Sequence, residues 1–442
     1  MPWPLAACWV LSRQDSVSAA IIDAAKLDSR GSRGEKQLAD TLGRPMLILH
    51  IIDSFSPANG GPPEAVRQLT KAYIEVGAQI EVVCLDAPDA PYLKNMPCPV
   101  HALNQSYLGR FAFSPRLWRW LRDNAHRFDG MVMNGIWTFP GVALWMNARR
   151  IGKPYGVFVH GALDPWFNRK YPLKHLKKML YWPIQYAVLR DAMAVFFTTD
   201  EERKLARESF RPNGWNSVVV PYGITDPEVS EEEAASQVEQ FYEKLPQLRG
   251  RRYLLFLGRI HEKKGCDLLI EAFARQADKA PDLDLVIAGP DQAGWQLKLQ
   301  QRAKQRGIGS RVHWPGLIGG AVKWGALRAS DAFVLPSHQE NFGIAVVESL
   351  SMGRPVLITN QVNIWPDIEA DQVGLVDDDT LEGIERLIAG WNAMGTAGRA
   401  ELAGGARAAF QRRYAMNRTA AVINRLFLFG PSEEVSSGAE AM

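Results

Sequence analysis

The stretch 46–52, MLILHII, together with IEVVCL at 80–85, decides the fold. Both runs are apolar without the alternation of a one-sided sheet, so they read as strands buried on both faces. Residues 63–77 between them are long enough for a crossover helix, and strand–helix–strand repetition makes a parallel sheet. The pattern repeats outward through 130–133 (GMVM), 155–159 (YGVFV), 193–198 (MAVFFT) and 217–220 (SVVV), separated by helical patterns at 115–127, 140–151, 172–190 and 200–209. After a polar, Glu-rich passage at 226–250, a second series opens with 253–257 (YLLFL) and runs through 284–288, 311–314, 332–335, 355–358 and 373–376. Its helical patterns are 266–277, 295–306, 322–329, 343–352 and 380–394. The chain therefore reads as α/β: two successive doubly wound, Rossmann-like domains over 46–225 and 226–415. Their carboxyl-end loops surround one cleft, where open α/β sheets bind ligands. A last helical stretch is expected at 398–427, with 416–442 read as a helix end and a disordered tail. Residues 1–45 read as a loosely held N-terminal extension.

The 442 residues suit two domains. At 47% hydrophobic and 22% charged, the composition is that of a globular protein, which excludes disorder, collagen and coiled coil. Cys8, Cys84, Cys98 and Cys266 show no CxxC or Cys/His spacing, which argues against a disulfide framework or structural zinc and fits a reducing cytosol. A net charge of +3 makes nucleic acid an improbable partner. The charge is uneven: 46–225 carries 21 Lys/Arg against 14 Asp/Glu, and 226–442 carries 24 against 29. One half is thus suited to face something anionic. The charge-free run 130–148 is broken by Asn134, Gly135, Pro140, Gly141 and Asn147, so it reads as strand, loop and helix start rather than a membrane span. The apolar 4–11 lacks a basic segment before it, and no secretory signal is expected.

Gly60-Gly61-Pro62-Pro63 follows the first strand, not the three-glycine dinucleotide fingerprint, and GxxxxGK[ST] is absent. Both facts weigh against a dehydrogenase or a P-loop NTPase. The most informative stretch is 338–348, HQENFGIAVVE. A helix starting near Gly343 would point its free N–H groups and positive dipole end into the cleft, a seat for a phosphate or sugar hydroxyl. Glu340 ahead of it and Glu348 inside it could reach one ligand, and carboxylate oxygens accept from vicinal hydroxyls. A lone pair of glutamates is ordinarily just solvated; the neighbours change that balance. Gly258-Arg259 ends the second domain's first strand and HEKKG (261–265) follows, so Arg259 and Lys264 can clamp a diphosphate. His160-Gly161 ends a first-domain strand, with Asp164-Pro165-Trp166 just beyond. A single histidine is usually a core or capping residue, but this one sits where a strand meets the cleft. Asp377-Asp378-Asp379 precedes a helical pattern, where an N-terminal cap explains it better than a metal.

Taken together, GGP, the HG pair, GR…KKG and E-N-F-G-I-x-x-x-E resemble the family-4 retaining glycosyltransferases of the GT-B fold, over about 46–415. NGIW (134–137) with HGALDPW (160–166) is similar to the branch that builds exopolysaccharide or lipopolysaccharide. The resemblance implies transfer of a sugar from a nucleotide-diphosphate sugar to a glycan or lipid-linked acceptor, with neither metal nor cofactor. Arg259 and Lys264 would hold the diphosphate, and Glu348 the ribose. Glu340 with Asn341, Phe342, Gly343 and Ile344 would hold the donor sugar. Gly60 and Gly61 would let the backbone approach the diphosphate, and His160 would lie near the anomeric carbon. Asn134, Trp137, Asp164 and Trp166 would form the acceptor side. A GT-B-like nucleotide-sugar 2-epimerase shares the cleft and stands as the alternative.

The stretch 169–190 carries Arg169, Lys170, Lys174, Lys177 and Lys178 beside Met179, Leu180, Tyr181 and Trp182. Either it is a solvated helix packed on the sheet, or 169–182 lies on an anionic membrane surface. The second reading places a cytoplasmic protein peripherally on the inner membrane's cytoplasmic face.

Overall fold

The computed structural model of the chain describes residues 45–56, 61–291 and 294–430. The expectations for the N-terminal extension up to residue 44, for Gly60 and for the tail from 431 lie outside the described residues.

Two parallel sheets carry the fold. The first orders its strands β3-β2-β1-β4-β5-β6-β7, with β1 Leu47–Ile52, β2 Gln79–Cys84, β3 Val100–Ala102, β4 Gly130–Asn134, β5 Tyr155–Phe158, β6 Ala194–Phe197 and β7 Ser217–Val219. The second runs β10-β9-β8-β11-β12-β13, with β8 Arg252–Leu257, β9 Leu283–Ala288, β10 Val312–Gly316, β11 Ala332–Leu335, β12 Val356–Thr359 and β13 Gly374–Asp377. Strand order reverses between β1 and β4 in one sheet and between β8 and β11 in the other. Each reversal opens a crevice at the strands' carboxyl ends, because the flanking helices depart to opposite faces. The expected pair of doubly wound domains is what the chain forms. β4 and β9 are buried along their whole length, as strands covered by helices on both faces must be.

Several elements depart from the sequence pattern, among them the three-residue edge strand β3 and the short helix Trp365–Ala370, which no apolar run or helical period marks. The Glu-rich passage contains a helix, Glu231–Lys244, capped by Ser230, whose Oγ accepts from the Glu233 amide at 3.2 Å. Its three first-turn glutamates suit the positive helix end, but only Gln237 and Phe241 are buried, so its apolar stripe is too thin to see in sequence. The expected helix at 398–427 is two, Thr396–Ala409 and Met416–Phe429, separated by a π turn at Phe410–Tyr414. The last helix is not a free end. It returns to the first lobe, where Phe427 presses on Gly130 and Thr419 Oγ1 donates to the Pro221 carbonyl at 2.5 Å. Among the described residues no helix is long and apolar enough to cross a membrane. Cys84, Cys98 and Cys266 are free thiols.

Candidate active site

The carboxyl end of β8 delivers the cations. Arg259 is exposed just beyond it, and a short turn, Glu262–Lys264, precedes the helix Cys266–Gln276. Lys264 is nearly enclosed, its side chain 12% exposed, and its ammonium bonds the Glu340 carboxylate. Burial, then Lys263 and Arg259, draw the Lys264 pKa down to about 7. Lys263 falls to about 8, also chiefly by burial. Three positive charges held this close repel one another, and an arriving polyanion relieves all three.

Glu340 lies on the segment after β11. Its backbone is pinned to the neighbouring loop, with its amide on the Gln361 carbonyl at 2.9 Å and its carbonyl accepting from Asn363 at 3.0 Å. Gly343 then turns the chain at φ 79° into the helix Ile344–Ser351. Glu348 sits on that helix and accepts from Lys323 Nζ at 2.7 Å. The two glutamates thus each meet a lysine from another element, and both retain oxygens for hydroxyls. Phe342 turns inward instead, its ring against Tyr222 and Tyr414 at 6.1 and 5.8 Å. The acidic run after β13 is not the helix cap that the sequence suggests: Thr380 Oγ1 caps Leu381–Ala393 by accepting from Gly383 at 3.1 Å. Asp377 pairs with Arg386, Asp378 accepts from Asn360 at 2.7 Å, and Asp379 lies 3.0 Å from His338 Nδ1. Among the described residues no group of three or more His, Cys, Asp or Glu could hold a metal ion.

The front lobe presents His160-Gly161 beyond β5, with both residues in the left-handed region at φ 47° and 72°. The imidazole stacks on Phe158 at 5.3 Å and meets Tyr222 edge-on at 5.5 Å. Burial lowers its pKa to about 4, so it is neutral at physiological pH, and Nε2 has no hydrogen-bond partner among the described residues. A Cβ on Gly161 would lie 2.8 Å from Asn341, which is why glycine stands there. Gly61 opens the helix Gly61–Glu75 and lies against Ile344, whose Cδ1 would be 3.3 Å from an added Cβ. The two glycine positions therefore bring the front backbone against the Glu340–Glu348 segment of the rear lobe.

The four residues expected on the acceptor side are tied into the fold. Asn134, 5% exposed, spans β4 and β1 by donating to His50 Nδ1 and the Ile51 carbonyl, both at 3.2 Å. Trp137 donates to the Ala162 carbonyl at 3.3 Å and packs on Trp182 and Phe210. Asp164 caps the helix Pro165–Lys170 and also accepts from Gln339 Nε2, across the lobes, at 2.6 Å. Trp166 lies beneath the Lys263 ammonium, 5.6 Å from its ring centre, again across the lobes. Sequence reasoning missed Asp53, just past β1 at the strand-order reversal. Its Oδ1 accepts from Thr138 at 3.2 Å, and burial raises its pKa to about 7. A carboxyl directly after an apolar run at a candidate switch point was the available signal. It also missed Gln339, inside the quoted stretch but without a recognisable role, and Glu202.

The family model described as Glycosyl transferase 4-like domain matches residues 60–223, and Glycosyl transferases group 1 matches 237–394. The chain belongs to the family-4 glycosyltransferases. This glycosyltransferase is similar to the GDP-mannose-dependent alpha-(1-6)-phosphatidylinositol dimannoside mannosyltransferase of Mycobacterium tuberculosis, 25% identical over 350 residues, 78% of this chain and 87% of that one. It is likewise 25% identical over 326 residues to the phosphatidyl-myo-inositol mannosyltransferase of Mycobacterium leprae, covering 68% of this chain and 75% of the relative. In fold it is similar to Anabaena HepE, solved with UDP and glucose, at a TM-score of 0.68 and 18% identity over 87% of this chain and 99% of that one. The glycosyltransferase thus has the GT-B architecture that its motifs imply.

Proposed function

We propose that this glycosyltransferase moves a sugar from a nucleotide-diphosphate donor to a hydroxyl of a glycan or lipid-linked acceptor, in bacterial cell-surface polysaccharide synthesis. The observation that carries the donor assignment is the crowding of Arg259, Lys263 and Lys264 beside Glu340, at the crevice between β8 and β11. Arg259 and Lys264 hold the diphosphate and offset the charge that grows on it as it leaves, so the reaction proposed needs no metal. Glu348 takes the ribose hydroxyls. Glu340 and Asn341, with the amides around Phe342, Gly343 and Ile344, take the donor sugar. Neutral His160 lies by the anomeric carbon, and Gly60 and Gly61 admit the diphosphate. Asn134, Trp137, Asp164 and Trp166 shape the acceptor side as the scaffold behind it rather than as free contacts. The acceptor hydroxyl forms its bond to the anomeric carbon on the face from which the diphosphate departs. Its proton passes to the leaving phosphate oxygen, and configuration is retained.

The relatives' names support a lipid acceptor, since two of them act on phosphatidylinositol-type compounds. A membrane-facing surface fits it. On the helix Pro172–Arg190, Leu173 and Leu180 are 79% and 80% exposed, with Leu176 and Met179 exposed between them. Lys174 and Lys177 share that exposed helix, and each cation near anionic lipid contributes about 1 kcal/mol. On this reading the protein works peripherally on the cytoplasmic face of a membrane. A thermal-shift screen of UDP-, GDP- and ADP-sugars tests the donor: one class should raise the melting point according to its affinity. No shift by any of them, repeated by calorimetry, removes the donor assignment.

A further inference from the structure

Thr199-Asp200-Glu201-Glu202 has the form of a capping box at the start of the helix Asp200–Ser209. Half of that box forms: Thr199 Oγ1 accepts from the Glu202 amide at 3.0 Å. The other half does not. In place of the Thr199 amide, the Glu202 carboxylate takes the Thr198 amide and hydroxyl, both at 2.7 Å, and the Gly161 amide at 2.5 Å. Gly161 is forty-one residues away in sequence, on the His160 turn. Glu202 is only 4% exposed and, among the described residues, forms no ion pair with Lys or Arg, so these donors must carry its desolvation. Burial pushes its pKa up, and the same hydrogen bonds oppose that rise. A helix cap alone gives no reason to bury a carboxylate in this way.

The chain of bonds continues into the other lobe. Thr198 Oγ1, having donated to Glu202, accepts from Asn341 Nδ2 at 3.2 Å. Asn341 adjoins Glu340, and its Oδ1 is buried without a hydrogen-bond partner among the described residues. It also fills the space that a side chain on Gly161 would need.

We infer that Glu202 is a positioning residue of the transfer reaction, its carboxylate setting the His160-Gly161 turn and, through Thr198, the seat of Asn341 from the rear lobe. The inference rests on the glycosyl-transfer reading for its consequence in turnover, though not for its geometry. Glu202→Gln replaces one acceptor oxygen by an amide donor, which must face a backbone N–H or give up one loop.

The test joins amide hydrogen exchange of the full chain, without ligand, to steady-state transfer. Glu202→Gln should speed exchange in both 158–164 and 338–343, one segment on each lobe. It should also lower kcat by about 10²-fold, as a misplaced reacting centre does. Nucleoside-diphosphate affinity, measured with UDP and GDP by calorimetry, should change little, and Glu202→Asp should recover part of the rate. Combining Glu202→Gln with Asn341→Ala should cost little more than the worse single change, because both break one chain of bonds. Thr198→Val removes only the hydroxyl bridge, and should loosen 338–343 even if Glu202→Gln does not fold. Exchange changes confined to 198–209, or fully additive losses, would reduce Glu202 to a helix cap and overturn the inference. A wild-type protein that transfers no sugar would sink the functional reading while leaving the exchange test of Glu202 intact.

Discussion

The two lobes use similar sheets for opposite purposes. In the rear lobe charged residues pair with one another across elements, Lys264 with Glu340 and Lys323 with Glu348, beside a helix start at Ile344. In the front lobe the corresponding residues are absorbed by the fold. Asn134 ties β4 to β1, Trp137 anchors the Ala162 carbonyl, and Asp164 caps a helix while gripping Gln339. A charged group bonded to another charged group can exchange that partner for a ligand at modest cost. A buried amide or indole bonded to backbone cannot, since its partner would be left unsatisfied. On the proposed reading, recognition of a common donor is built into a fixed motif, whereas the acceptor side is shaped by what the scaffold leaves over.

The contrast is broken most directly at Lys264. Lys264→Ala should lower kcat/KM by about 10³-fold with the melting temperature nearly unchanged, and Glu340→Ala should act in the same direction. Full turnover by both variants would end the account of the rear lobe. Gly161→Ala comes next: its left-handed backbone costs about 1–2 kcal/mol and its methyl collides with Asn341, so urea stability and activity should fall together. Asp164→Ala removes a cap and an interlobe bond, and should cost about 2 kcal/mol in unfolding free energy. A stability unchanged within error would mean that the front lobe is less committed than described.

A subtler comparison is read in pH. Asp53 has its folded pKa raised to about 7, so its contribution is present below the ordinary carboxyl pKa of about 4 and is lost as pH rises through 7. Buried His160 and His50, lowered to about 4 and 3, act in the opposite sense: the stability that they contribute above about pH 6.5 is lost as pH falls toward those values. Asp53→Asn should therefore gain stability over wild type at pH 8 relative to pH 5, measured as the difference in urea midpoints. An equal difference at both pH values rejects the assignment. The smallest effect on chemistry belongs to the exposed helix. Reversing Lys174 and Lys177 should reduce flotation with phosphatidylserine vesicles by about tenfold while transfer to a soluble acceptor persists. Flotation indifferent to those charges leaves the helix as an ordinary solvated face.

Most strands were legible because burial on both faces writes an unbroken apolar run, and the grouping of the rear-lobe residues proposed as a site was legible because they lie close together in sequence. Glu340, Asn341, Gly343 and Glu348 fall within one turn-and-helix unit, where spacing alone fixes their relation. Glu231–Lys244 was not legible, since two buried residues in fourteen leave no periodicity to detect. Nor was the return of Met416–Phe429 to the front lobe, because an amphipathic helix does not say which lobe covers it. The sequence by itself determined that this chain folds into two doubly wound sheets, and that one segment carries the paired charges proposed here as a donor site. Local periodicity and spacing are properties of neighbours along the chain. Only the tertiary structure decided that Glu202 reaches Gly161 and Thr198, that Asp164 reaches Gln339, and that Asn134 and Trp137 face inward. Those outcomes follow from which buried polar groups find one another when distant loops converge, and a linear pattern does not encode that meeting.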